Sequence, residues 1–498
     1  MNLMMLLEMA SQGFADRGAV QNGDQRLSYA ELFSAAGGAA GIAREAGVEK
    51  LAVLDVSSLA VPVGLFGAAW SGKPFVPLNY RLTDAELESL ASQIAPSLLV
   101  TSRDRVGSLS KLPDTQVMER DEFLERALGA ETPTADWSMD PDEIAILLFT
   151  SGTTGAPKAA VLRHKHLVAY ILGSVEFAGA AEEDAALVSV PPYHVAGMSA
   201  ICSSVYAGRR IVQLPSFDPD EWLRLAREEG VSNAFVVPTM LSRIVDSIGE
   251  GAEAGLPGLR AVSYGGGKMP LPVIARAMRA FPDTNFTNAY GLTETSSTIT
   301  VLGPEDHRVA AASDDEAVRR RLTSVGQALP TVEIEIRDEN GAKLGPGERG
   351  EIYVRGEQVS GEYLGRGSSV LNDGFFPTRD AGSMDAEGYL FIEGRADDVI
   401  VRGGENMSPG EIEDVLLEHP AVADAGVVGV PDEEWGEAVA AAVVLKDGQD
   451  ASSQDLQVWV RERLRSSRTP QRIEFRGELP YNETGKLLRR VLRTELAS

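Results

Sequence analysis

Three scarcities bound this chain of 498 residues before any motif is sought. Cysteine occurs once, at Cys202, which excludes an internal disulfide framework and any cysteine-rich metal site and fits a reducing cytoplasm. Set in an apolar, small-residue segment, Cys202 is expected in a core. Basic residues are outnumbered, 46 Lys+Arg against 73 Asp+Glu, and the net charge of −27 disfavours binding to nucleic acid or to an anionic membrane surface. No uninterrupted apolar run reaches the roughly 20 residues of a membrane-spanning helix. Residues 1–9 are apolar but short, lack a basic leader and contain Glu8, so they read as a helix start and not as a signal peptide. Apolar residues are plentiful, at 44%, and at this length they predict a globular protein of at least two domains.

The periodicity alternates. Residues 27–46 have helical spacing, 51–56 read as a buried strand, 61–69 as a helix, 75–78 as a short strand, 84–94 as a helix and 97–101 as a strand. Such alternation predicts α/β architecture, with parallel-rich sheets covered by helices. Residues 104–140 turn polar and acidic and read as a surface connection. Residues 144–149, 186–190, 233–237, 259–264 and 285–289 are further strands, with a helix from His164 to about Val175. His164 and His166, two apart, do not share a helix face, so a metal pair is disfavoured and both read as helix-start, surface residues. Residues 304–323 read as a solvated helix. Residues 332–337 alternate with period two and 350–356 follow a Pro-Gly turn, which predicts an antiparallel subdomain. Beyond residue 394 the pattern restarts at shorter spacing: a helix at 410–418, strands at 423–430 and 439–445, a helix at 454–464, a strand at 472–475 and a basic helix from Lys486.

The densest chemistry follows the strand at 144–149, in Thr150-Ser151-Gly152-Thr153-Thr154-Gly155-Ala156-Pro157-Lys158. Gly152 and Gly155 let N–H groups converge, four hydroxyls add donors and Lys158 adds a positive charge, the neighbours that polyphosphate needs. No Gly-Lys-Ser/Thr closes the stretch, so an ordinary P-loop NTPase is disfavoured; the bland alternative is a polar surface loop. Three other strand ends carry candidate groups. Pro191-Pro192-Tyr193-His194 places a histidine where open α/β sheets bind ligands, or else holds a satisfied core histidine. Gly265-Gly266-Gly267-Lys268 lets a flat ring lie on the backbone; Lys268 is either a solvated turn residue or a cation aimed at a polar or anionic part of a substrate. Asn288-Ala289-Tyr290-Gly291-Leu292-Thr293-Glu294 offers an aromatic face, a hydroxyl and a hard oxygen ligand for Mg²⁺.

Together, residues 150–158 and the Tyr290-Gly291-Leu292-Thr293-Glu294 string resemble the signatures of the acyl-adenylate-forming superfamily, which includes acyl-CoA synthetases, peptide-synthetase adenylation domains and firefly luciferase. The resemblance extends over essentially the whole chain. It implies that Thr150 to Gly155 (Thr150, Ser151, Gly152, Thr153, Thr154, Gly155) and Lys158 hold the β- and γ-phosphates of ATP. Gly265, Gly266, Gly267, Asn288, Ala289, Tyr290, Gly291 and Thr293 would surround the nucleotide, and Glu294 would ligate Mg²⁺. Tyr193 and His194 would line the acyl channel, with Lys268, where small neutral residues are usual, as a further substrate contact. Asp380 matches the carboxylate that accepts from the ribose hydroxyls, although Arg379 stands where the family has glycine; Arg395 matches a ribose or phosphate ligand. Asp397 matches the hinge residue, Gly403 and Gly404 the passage for pantetheine, and Lys486, in Asn482-Glu483-Thr484-Gly485-Lys486, the catalytic lysine that neutralises charge as the adenylate forms.

The expected organisation is an AMP-binding N-terminal domain over 1–394, a hinge at 395–398 and a small, mobile α+β C-terminal lid domain over 399–498. The expected activity is that of an ATP-dependent acid:CoA ligase of the fatty-acid or carboxylic-acid type, forming acyl-AMP and pyrophosphate and then acyl-CoA and AMP, with ATP, Mg²⁺ and coenzyme A. Arg472 and Arg476 are candidates for the phosphates of CoA and Trp435 for its adenine. The rivals are an adenylating enzyme that delivers to a carrier protein or stops at acyl-AMP, one that activates a non-carboxylate oxyanion such as nitrite, and a non-catalytic nucleotide sensor.

Overall fold

A computed structural model describes the chain apart from residues 132, 151–156, 396–397, 403–404, 433–434, 482–486 and 498 and the side chains of 405 and 406. The large N-terminal domain is built on two extended sheets. One has nine strands, in the order Gln327–Ala328, Ser297–Leu302, Asn285–Leu292, Ala261–Gly265, Asn233–Val236, Ala185–Val188, Arg210–Gln213, Gly18–Asn22 and Gln25–Ser28. Its six central strands, from Asn285–Leu292 to Gly18–Asn22, run parallel. The second sheet has eight strands, with Ile144–Thr150, Phe75–Pro77, Lys50–Leu54, Ser97–Thr101 and Thr115–Glu119 parallel. A four-stranded antiparallel sheet follows, Val332–Arg337, Arg349–Gly356, Phe376–Met384 and Leu390–Arg395, the antiparallel subdomain expected there.

The helices between parallel strands pack closely because their faces are small. The helix Tyr29–Glu45 opens on a capping box between Ser28 and Glu31 and is rich in alanine and glycine. At Gly38 a Cβ would lie 2.1 Å from the carbonyl oxygen of Ala127, so only glycine lets the helix Arg120–Gly129 approach this near. Trp70 fills the space beside it, against Phe33 and Trp137 at 4.9 and 5.0 Å. Cys202 is buried in the same core, and burial raises its thiol to about 12, which makes it an inert core residue.

The smaller C-terminal domain pairs Val422–Asp432 with Gly436–Leu445 and adds Arg472–Phe475 in parallel. The helices Pro409–Leu417, Ser453–Arg463 and Arg489–Leu496 pack against this sheet.

Two expectations need correction, and one strand was not anticipated. Residues 104–140 are not mere connection: Thr115–Glu119 extends the second sheet and Arg120–Gly129 buries Phe123, Leu124 and Ala127. The strand is half-exposed along its length, so it carries no apolar signal. A strand at Lys158–Arg163 precedes the helix His164–Ser174. His164 and His166 are buried, at 1% and 6% exposure, because each accepts a backbone N–H: that of Leu3 on His164 Nδ1 at 3.2 Å and that of Arg163 on His166 Nδ1 at 3.3 Å.

Candidate active site

Both extended sheets deliver the carboxyl ends of their parallel strands to one place, where open α/β sheets bind ligands. Tyr80, just beyond Phe75–Pro77 of the eight-stranded sheet, meets Tyr193, beyond Ala185–Val188 of the nine-stranded sheet, ring to edge at 5.6 Å. His194 packs on Tyr193 at 4.5 Å. Its Nε2 is shut off from solvent and has no hydrogen-bond partner among the described residues. Burial lowers His194 to about 4, so the ring is neutral at neutral pH. A buried, unpartnered nitrogen costs about 1–3 kcal/mol unless a ligand satisfies it.

Beside this pair lies a cavity of about 220 Å³ bordered by Tyr80, Ser189, Pro191, Thr239, Met240 and Arg243. Thr239, Met240 and Arg243 come from the helix Pro238–Ile248, which no sequence motif singled out; the signal was its position directly after the parallel strand Asn233–Val236. Arg243 stacks on Phe217 at 5.1 Å and has no carboxylate partner among the described residues. Tyr481 of the C-terminal domain closes another wall.

The nucleotide candidates group one strand further along. Gly265 pairs with Ala289 across parallel strands, and a Cβ at Gly265 would stand 2.1 Å from the Ala289 carbonyl oxygen, so the two backbones touch where a flat ring is expected to rest. Asn288 donates to the Ser324 carbonyl oxygen at 3.1 Å and anchors this edge. Tyr290 donates its hydroxyl to Asp380 Oδ2 at 2.7 Å, and Arg395 donates to Asp380 Oδ1 at 3.0 Å. Burial and the Asp380 carboxylate push the Tyr290 phenol well above its usual range. Each Asp380 oxygen keeps a lone-pair direction for a further donor such as a ribose hydroxyl. Arg379 adopts φ +64°, the left-handed conformation that favours glycine, and its largely exposed side chain leaves the backbone there uncrowded.

Lys158 and Glu294 meet through a residue the sequence did not single out. Tyr363 donates its hydroxyl to Glu294 Oε1 at 2.5 Å, and Lys158 Nζ stands 5.7 Å from the centre of its ring. The Glu294 carbonyl oxygen is held by the N–H groups of Ser360 and Gly361 at 2.8 and 3.2 Å. Tyr363 is placed by pairing with Ala160 and by the two-pronged Arg163–Glu362 ion pair at 2.7 and 2.9 Å. Only that pairing, across distant chain segments, reveals it. Thr150 and Lys158 face each other at the mouth of a hairpin, with Thr150 Oγ1 donating to the Lys158 carbonyl oxygen at 3.4 Å.

Among the described residues no group of three or more His, Cys, Asp or Glu is placed to hold a metal by itself. A single carboxylate, Glu294, suits Mg²⁺, which is held by one or two carboxylates together with substrate phosphates. Lys268 is absent from the cavity wall and reaches the C-terminal domain. Arg472 and Arg476 are tied to Glu474, and Arg476 also to Glu495, while Trp435 is exposed with Arg402 over its ring. Ser151, Gly152, Thr153, Thr154, Gly155, Asp397, Gly403, Gly404 and Lys486 lie outside the described residues.

Residues 7–364 match the AMP-binding enzyme family, and residues 411–486 match the AMP-binding enzyme C-terminal domain. The chain belongs to this family. It is similar to fatty acid–[acyl-carrier-protein] ligase ScoC of Streptomyces coeruleorubidus, 35% identical over 86% of this chain and 83% of that one. It is 31% identical to feruloyl-CoA synthase of an Amycolatopsis species over 95% and 94% of the two chains. Its fold superposes on o-succinylbenzoate CoA synthetase (MenE) of Bacillus subtilis, solved with an acyl-adenylate, with a TM-score of 0.86, 30% identity and 98% and 97% coverage. The same synthetase, solved with ATP and a magnesium ion, superposes at 0.85 with 29% identity over 99% of each chain. The protein is an AMP-forming acid–thiol ligase, an acyl-CoA synthetase that uses ATP and Mg²⁺. No helix among the described residues is long and apolar enough to cross a membrane.

Proposed function

We propose that this ligase joins a compact carboxylic acid bearing a second polar or anionic group to coenzyme A, in the cytoplasm. The observation that carries the reading is the cavity bordered by Tyr80, Ser189, Thr239 and Arg243. Its volume, about 220 Å³, is below the roughly 300–1,000 Å³ of sites for drug-sized ligands, and Arg243 brings to it a cation with no carboxylate partner among the described residues. A long fatty acyl chain would leave that guanidinium against methylenes, a poor match for a charge.

The site residues divide the work. Lys158, with Thr150 and residues 151–155, grips the β- and γ-phosphates; Gly265 to Gly267 and residues 288–293 hold the base, and Asp380 and Arg395 the ribose. Bound at Glu294, Mg²⁺ supplies neutralisation of phosphate charge. Tyr193 and neutral His194 position the acid so that its carboxylate oxygen attacks the α-phosphorus while the bond to pyrophosphate breaks, and Lys486 stands at the developing charge. The domain over 399–498 then turns about Asp397, within the hinge 395–398, and Gly403 and Gly404 admit the thiol. The cytoplasmic placement rests on a single, buried cysteine.

Pyrophosphate release across a panel of acids, with and without CoA, tests this. Short or aromatic acids with a second carboxylate or hydroxyl should turn over best. Exclusive use of hexadecanoate, or release with nitrite and no carboxylic acid, would overturn it. A second reading, delivery to an acyl carrier protein, is favoured by the similarity to ScoC; AMP release that needs carrier protein and not CoA would establish it.

A further inference from the structure

Lys268 follows the Gly265-Gly266-Gly267 turn of the large domain, and its ammonium reaches the C-terminal domain. Nζ lies 2.5 Å from Asp414 Oδ2 and 3.3 Å from the carbonyl oxygen of Gly410, both on the helix Pro409–Leu417 of the C-terminal domain. The helix's other acidic residues are tied within their own domain, Glu411 to Arg468 at 2.7 Å and Glu413 to Arg489 at 2.6 Å. Among the described residues, Lys268–Asp414 is the one ion pair that joins the two domains. The start of the same helix is seated on the large domain: Ser408 Oγ donates to the Glu393 carbonyl oxygen at 2.5 Å, and a Cβ at Gly410 would lie 3.2 Å from that oxygen. In this arrangement Tyr481, bridged to Leu487, lines the cavity that the proposed function assigns to the acid.

We infer that Lys268 is a positioning residue for the adenylating half-reaction: its pair with Asp414 holds the C-terminal domain with the Tyr481 edge against the acid, and the pair opens before the thioester step. The inference rests on the two-orientation reading given above. The pair's strength suits the task. Both side chains are about half exposed, at 45% and 50%, so water screens them and the tie biases the orientation by about two- to fivefold. A buried, strongly held pair would trap the domain and stop the second half-reaction.

The test compares Lys268→Met, Asp414→Asn, the double variant and the exchanged pair Lys268→Asp with Asp414→Lys. Pyrophosphate release without CoA, with the best acid of the panel, should fall about two- to fivefold in each single variant and no further in the double variant, and should recover in the exchanged pair. Thioester formation from that acid's synthetic adenylate should be unchanged or faster. Raising salt should slow adenylation in the parent enzyme and leave Lys268→Met unaffected. A changed acid preference in Lys268→Met alone, or equal loss of both half-reactions, would overturn the inference. A readout independent of the acid is the distance distribution between spin labels at the exposed Val309 and Val458, one in each domain, with MgATP bound. Lys268→Met and Asp414→Asn should each broaden it; identical distributions in parent and variants would overturn the inference even if the proposed acid class were right. If no acid releases pyrophosphate, the proposed function fails, and the label distances still decide the role of Lys268.

Discussion

The hydroxyl of Tyr363, donated to Glu294 Oε1 at 2.5 Å, fixes one oxygen of the carboxylate suited to Mg²⁺. Partners that orient a metal ligand are commonly worth ten- to a hundredfold in metal affinity or activity. Tyr363→Phe should therefore raise the Mg²⁺ concentration needed for half-maximal pyrophosphate release about tenfold and spare thioester formation from supplied acyl-AMP; an unchanged Mg²⁺ dependence would remove Tyr363 from the site. Arg379 poses a different problem, a non-glycine residue at φ +64° beside the buried Asp380. Left-handed backbone costs an L-residue roughly 1–2 kcal/mol, most for β-branched side chains. Arg379→Gly should fold with unchanged or higher denaturation midpoint, and Arg379→Ile should lose about 1–2 kcal/mol in urea unfolding. Arg379 was visible in the sequence as a residue standing where the family has glycine; that it adopts a left-handed conformation was not, because a dihedral angle depends on the strand pairing around it.

At the scale of elements, the proposed mechanism divides the reaction between a segment and a hinge. Lys486 follows the strand-edge residue Tyr481 by five positions and precedes Leu487, which pairs with Tyr481. Lys486→Ala should abolish pyrophosphate release while thioester formation from supplied acyl-AMP stays largely intact. Asp397→Pro, which fixes φ at the hinge, should block thioester formation more than adenylation. Measuring the two half-reactions separately checks both, and parallel losses in the two variants would refute the two-orientation mechanism. The strands that support the site were legible because buried parallel strands are short continuous apolar runs, as at Ala185–Val188 and Ile144–Thr150. Thr115–Glu119 escaped notice for the opposite reason: an edge strand with half-exposed side chains has no such run.

At the scale of the whole molecule, buried histidines link stability to pH. Burial lowers His164 and His166 from 6.5 to about 4, and each ring accepts a backbone N–H and so must be neutral in the fold. The unfolded chain binds their protons first, so this stability is complete above pH 6.5 and falls as pH drops toward 4, by about 3 kcal/mol for each residue at the limit. The melting temperature should decline between pH 6.5 and 4.5, before most carboxylates protonate, and His164→Gln should flatten that decline; a level profile over this interval would contradict the burial-driven shift.

What the sequence by itself determined is the fold class, the family and the residue types at the strand ends, because apolar periodicity and glycine-hydroxyl-cation strings are local properties of the chain. Only the tertiary structure decided which of those residues meet. Tyr363 reaches Glu294 through strand pairing with Ala160, His164 accepts the N–H of Leu3 from the far end of the chain, and Lys268 reaches Asp414 of the other domain. Each of these depends on segments far apart in the chain, and a contact between distant segments leaves no periodicity in either of them.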